Sequence, residues 1–264
     1  NYEKKTGRKY DKRTKYEVYN ELKKIDDTIQ VTIPPTSNLK KNFPLFPLSG
    51  ISNSKTIFCN ENGYYVFYES DRFGFRNPDK EWDRDTIEYL LIGDSYTHGA
   101  CVNEPDDIAS VLRKLSNESV LNLGYSSNGP LIEYAILREY LPQNVKKIVW
   151  IYFESNDLND LSREIQSETL KKYLNNLNFT QNLKLKQKII DEILSKNVKI
   201  SKEKKKNKSI RQDLIKFVKL EKTIDLFVQP NLPKSDLKKI LELVKDLALK
   251  NNSELFFVFL PSYN

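Results

Sequence analysis

From Thr86 to the C-terminus apolar residues come in two alternating forms, short unbroken runs and stripes that recur every three or four positions. The runs "IEYLLI", "SVLNL", "KKIVWIYF" and "ELFFVFL" predict short strands covered on both faces, as in a parallel sheet. Three stripes predict the helices between them. "EPDDIASVLRKL" has Pro105 near its start and places Ile108, Val111, Leu112 and Leu115 on one face. "NGPLIEYAILREYL" has Pro130 suited to a first turn. "SDLKKILELVKDLALKNN" carries Leu237, Ile240, Leu241, Val244, Leu247 and Ala248 as one stripe, with Asn251 able to end it. Because parallel strands need connections of helical length, this alternation predicts an α/β fold, a three-layer α/β/α sandwich around a parallel sheet.

Two stretches break the pattern. Residues 1–82 hold a charged opening and "TIPPTSNLKKNFPLFPLSGISNSK", whose prolines forbid a long helix. Within them "TIFCNENGYYVFYESDRFGF" alternates β-branched and aromatic residues around Asn62-Gly63 and predicts a β-hairpin beside the main domain. The second break, about Leu158 to Gln229, is a basic insertion with a helical stretch at "QKIIDEILSK" and the lysines Lys202, Lys204, Lys205, Lys206 and Lys208. The expected organisation is an irregular and hairpin attachment over 1–82 and an α/β domain over 83–264. The insertion is read as a lid or partner surface, since pocket walls come from loops at the strand ends.

Composition narrows the functions. The formal charge of +7 admits nucleic acid, anionic lipid or an acidic polysaccharide as a partner, or a coding bias towards lysine. No aromatics are interleaved with the lysine run for base stacking, so no nucleic acid is expected. No apolar run is long enough to span a bilayer, and no signal-peptide pattern opens the chain; an anchor would belong to a longer polypeptide. The start at Asn1, the lack of methionine and the stop after a core strand suggest a piece of something longer. Cys59 and Cys101 leave two states open, a bridge in an exported protein or free thiols in a cytosolic one. His98 is the only histidine, which excludes a His-rich zinc site, and neither metal nor cofactor is expected.

In open parallel sheets reactive groups gather at the carboxyl ends of the strands. Ser95 follows the first strand in "IGDSY", Gly124 the second in "NLGYSSNG" and Asn156 the third in "YFESND". Meeting in one crevice, Ser95 would attack an ester carbonyl while its own N–H, the Gly124 N–H and the Asn156 amide stabilise the oxyanion. Asp94 is read as shaping the turn. Thr97 stands where a G-x-S-x-G elbow needs its second glycine, which argues against an α/β-hydrolase. His98 is read as a pocket wall or turn-stabilising residue rather than a base.

These three blocks, Gly93-Asp94-Ser95, Gly124 and Asn156-Asp157, resemble the SGNH hydrolases, also called the GDSL family. The resemblance covers about Ile87 to Asp160 and resumes in the last helix and strand. It implies a flavodoxin-like fold and a serine esterase or deacylase with Ser95 as nucleophile and Gly124 and Asn156 as oxyanion donors. The implied substrate is a small-molecule or carbohydrate ester, O-acetyl groups on carbohydrate included. Two departures stand out. Glu154 replaces the glycine of Gly-x-Asn-Asp, and the Asp-x-x-His block that supplies the base is absent from these residues. The alternatives are an O-acyltransferase acting on polysaccharide and a non-catalytic carbohydrate-binding or scaffold module. The oligomeric state is not legible, and export to the periplasm or cell envelope is the expected destination.

Overall fold

The computed structural model describes residues 2–41, 43–209 and 232–262, the side chains of 199–209 excepted. The apolar runs form β4 (Ile87–Gly93), β5 (Val120–Asn122), β6 (Val145–Phe153) and β7 (Glu254–Leu260). They make one sheet in the order β5-β4-β6-β7, with every neighbouring pair parallel. Leu90 pairs with Leu121 on one side and Ile148 on the other, so β4 is interior. The outer edge of β7 is unpaired among the described residues, and Phe256, Phe257, Val258 and Phe259 are exposed along it.

Successive side chains on a strand point to opposite faces, which splits the core in two. Leu90, Ile92, Ile148 and Trp150 pack with α5 (Pro130–Tyr140) and with Ile240, Val244 and Ala248 of α9 (Lys234–Lys250). Leu91 and Val120 pack with Ala109 of α4 (Ile108–Ser116). The expected stripe of α4 is only partly realised: Leu112 joins this cluster, whereas Ile108, Val111 and Leu115 are exposed. The helix also starts later than Pro105, because the Asp107 side chain accepts from the Ser110 N–H and caps it there.

The hairpin is present. β2 (Lys55–Ile57) and β3 (Phe67–Glu69) are antiparallel, with Asn62-Gly63 in the connection, and β1 (Gln30–Val31) adds to β2 in parallel. Phe46, Leu48 and Phe75 from residues 1–82 enter the same apolar core as β4 and α5. Asp71 stays buried by accepting from Trp82 Nε1 at 2.7 Å, Asn77 Nδ2 at 2.9 Å and the Phe73 and Phe75 amides.

The insertion is also part of this core. Its described portion forms α6 (Asp157–Glu164), α7 (Glu168–Asn175) and α8 (Gln187–Ser209), and Leu170, Tyr173, Ile190 and Leu194 are core residues. Glu139 of α5 accepts from Tyr173 Oη, Thr180 Oγ1 and the Gln181 and Leu183 amides, which ties the connection after α7 to the domain. No residue of 158–198 lines the cavity beside Ser95, and the apolar side chains of this portion, Leu170 and Ile190 among them, are spent in the core. Residues 210–229 of the insertion lie outside the described residues, as do the side chains of the lysine run.

Candidate active site

β4 ends in Gly93, whose φ of 152° suits glycine and whose missing Cβ would stand 2.6 Å from the Ile151 carbonyl of β6. The chain then turns into α3 (Ser95–His98), a single turn capped by Asp94, whose Oδ1 accepts the Tyr96 N–H at 2.9 Å. The turn-shaping role read for Asp94 is therefore the observed one. Ser95 is half-buried at the first position of this turn, and its Oγ lies 3.4 Å from Asp94 Oδ2.

Asn156 reaches the same place from β6. It precedes α6, and its Nδ2 donates to Asp160 Oδ2 at 3.0 Å and to Asp94 Oδ2 at 3.3 Å, while its Oδ1 is buried and has no hydrogen-bond partner among the described residues. Ser95 and Asn156 thus converge on one carboxylate. Gly124 is close by in a different capacity. Its N–H donates to Asn122 Oδ1 at 2.9 Å, and its missing Cβ would sit 2.5 Å from Thr97 Cβ. The glycine lets α3 approach the end of β5, and its amide is already engaged.

His98 points away from the serine. It is fully buried and ringed by Phe58, Tyr68 and Tyr125 at 4.3, 5.1 and 4.4 Å between centroids. Its Nδ1 accepts the Ser126 N–H at 3.1 Å, so it braces the turn after β5 and is no wall of the pocket. Burial, with Arg76 nearby, holds its pKa well below the ordinary histidine value, which keeps the ring neutral and Nδ1 an acceptor.

Behind Asn156 lies a group of buried carboxyls that sequence reading missed. Glu133 of α5 accepts from Trp150 Nε1 at 2.6 Å, and Asp157 accepts the Phe153 N–H at 2.7 Å. Burial raises the pKa of both, and a neighbouring carboxylate adds to each: Asp157 acts on Glu133, and Asp94 on Asp157. Glu164 accepts from the Gly129, Leu131 and Ile132 amides at 2.6, 3.0 and 3.2 Å, locking α6 to the N-terminus of α5. Burial nonetheless pushes Glu164 up to about 7. The available signal was that Glu133 interrupts "PLIEYAIL", a helix whose apolar residues run all round rather than on one stripe.

The crevice opens beside Ser95 as a cavity of about 310 Å³, bounded also by Tyr96 and by the chain from Gly99 to Val102. Arg76, fully buried, donates to the Gly99 and Val102 carbonyls at 2.8 and 3.0 Å and sets that segment. Cys101 within it is bridged to Cys59 of the hairpin connection. No group of residues able to hold a metal ion occurs among the described residues, and no described helix is long and apolar enough to cross a membrane. No protein-family model, curated protein or solved structure matches the chain.

Proposed function

We propose that this chain carries the nucleophile half of a serine ester hydrolase of the SGNH type, a three-layer α/β/α fold acting through an acyl-Ser95 intermediate. The observation that carries the reading is the meeting of Ser95 and Asn156, from the ends of adjacent parallel strands, on the Asp94 carboxylate. The strand order supports it: the chain leaves β4 for β5 on one side and β6 on the other, and ligands of open α/β sheets bind where the order reverses. In this reaction Ser95 Oγ bonds to the ester carbon as its proton passes to an imidazole. The leaving alcohol departs with that proton, and water then releases the acid.

His98 is not that imidazole, since its ring is enclosed and its Nδ1 occupied. The reading requires the base that the resemblance assigns to an Asp-x-x-His block, which residues 1–264 do not contain. It also asks Asn156 to exchange its 3.3 Å contact with Asp94 for the oxyanion, and leaves the Ser95 amide as the second donor. We further infer export, on the Cys59–Cys101 bridge, because such bridges persist in oxidising compartments.

The test is covalent labelling. A polypeptide that includes the Asp-x-x-His block is treated with an organophosphorus ester and the modified peptide located by mass spectrometry. Modification at Ser95, lost in Ser95→Ala, is expected, and Asn156→Ala should lower kcat by about a hundredfold with little change in KM. Absence of label from Ser95 would leave it a turn serine and end the esterase reading.

A further inference from the structure

The cavity beside Ser95 is small, at the lower end of the roughly 300–1,000 Å³ range of ligand sites. Its wall has a charge opposite to that of the molecule. Among the described residues the formally charged side chains that line it are Glu61, Asp106 and Asp107, with no lysine or arginine, in a chain of net charge +7. Asp107 is committed elsewhere, accepting from Ser110 Oγ at 2.7 Å and facing Arg76 Nη2 at 3.5 Å. Glu61 and Asp106, both exposed, remain to act on what enters.

The position of Glu61 is set by its neighbours. Cys59 is bridged to Cys101, and Asn62 Nδ2 donates to the Cys101 carbonyl at 3.1 Å. The residues flanking Glu61 are thus tied to one residue, whose own neighbours Ala100 and Val102 form another part of the cavity wall. The hairpin connection is thereby fixed as a wall of the site.

We propose that this cavity takes esters bearing a protonated amine close to the reacting carbonyl, and that Glu61 and Asp106 are the residues that select for it. The inference rests on the reading of Ser95 as nucleophile, because that reading puts the carbonyl at this wall. Neutral acyl groups of the same size would enter without the electrostatic gain, and anionic ones would be repelled.

The experiment uses residues 1–264 and two uncleaved probes, glycinamide and acetamide, which differ only by the ammonium group. Backbone amide shifts of Gly99, Ala100 and Val102 are followed by NMR at low ionic strength. Glycinamide should bind about fivefold more tightly, the scale of two partly exposed charge contacts. That preference should shrink in Glu61→Gln and in Asp106→Asn, and fall as salt is added. Equal affinity for both probes, or a preference unchanged in both variants, would overturn the inference. Since neither probe reacts, the two results are distinguishable: label without amine preference defeats this inference alone, and amine preference without label defeats the esterase reading and with it the assignment to esters, leaving only a cavity that prefers ammonium groups.

Discussion

Asn122 shows how one side chain can set the floor of a site. At the end of β5 its Nδ2 donates to the Thr97 carbonyl at 2.7 Å and its Oδ1 accepts the Gly124 N–H, so α3 and the turn after β5 are held by a single amide. Gly124 completes the arrangement by having no side chain against Thr97. Gly124→Ala should therefore force α3 outward and lower stability by about 1–3 kcal/mol, the usual cost of overfilling a packed contact. Urea unfolding would read this as a lower midpoint at unchanged slope. The position was legible in the sequence and the role was not, because a glycine after a strand looks the same whether it frees an amide or admits a helix. His98 posed a similar difficulty: proximity in sequence to Ser95 says nothing of which side of a one-turn helix the ring leaves from.

At the scale of elements, the disulfide joins the hairpin connection to the segment after α3, two pieces that also meet where Phe58 and Tyr68 pack on His98. It closes a separation of 42 residues, for which loop-closure entropy alone gives about 4 kcal/mol. Reduction should lower the unfolding midpoint accordingly, and Cys59→Ser with Cys101→Ser should do the same without reductant. If the Glu61 wall depends on this bridge, the double variant should also lose the preference for glycinamide. The helices were less legible than the strands. Strands β4 and β6 are buried on both faces, so unbroken apolar runs mark them. The stripe of α4 is as regular as that of α9, yet most of it faces outward, since periodicity reveals a face and not what covers it. Insertion residues such as Leu170 and Ile190 belong to the main core, although their polar surroundings in sequence suggested a peripheral segment.

Taken whole, the molecule keeps an unusual number of acids inside. Glu133 and Asp157 are raised by burial and then by neighbouring carboxylates, Asp157 acting on Glu133 and Asp94 on Asp157; Glu164 is pushed up to about 7, and Asp71 to about 6. Each such group holds a proton in the folded chain that the unfolded chain releases near pH 4. Their contribution is complete below the unfolded value and is lost as pH rises through the folded values, so stability should fall between about pH 5 and pH 8. His98, held neutral when buried, works the other way below about pH 6.5. One imidazole is outweighed by several carboxyls, and the expected net slope is on the order of 1 kcal/mol per pH unit. Urea midpoints measured across this range would show it, and Glu133→Gln, which keeps an acceptor for Trp150, should flatten it. A midpoint that climbs from pH 5 to pH 8 would contradict the protonation assigned to these groups.

Both tryptophans of the chain donate their indole N–H to one of these acids, Trp82 to Asp71 and Trp150 to Glu133. The emission of an indole responds to charge placed on its hydrogen-bond partner, so the protein carries two optical indicators of its own internal proton inventory. Trp82 should report a transition near pH 6, where Asp71 titrates, and Trp150 one displaced well above the ordinary glutamate range, where burial puts Glu133. Replacing either tryptophan with phenylalanine would leave the other as a single-channel probe, readable in the intact fold without any attached dye.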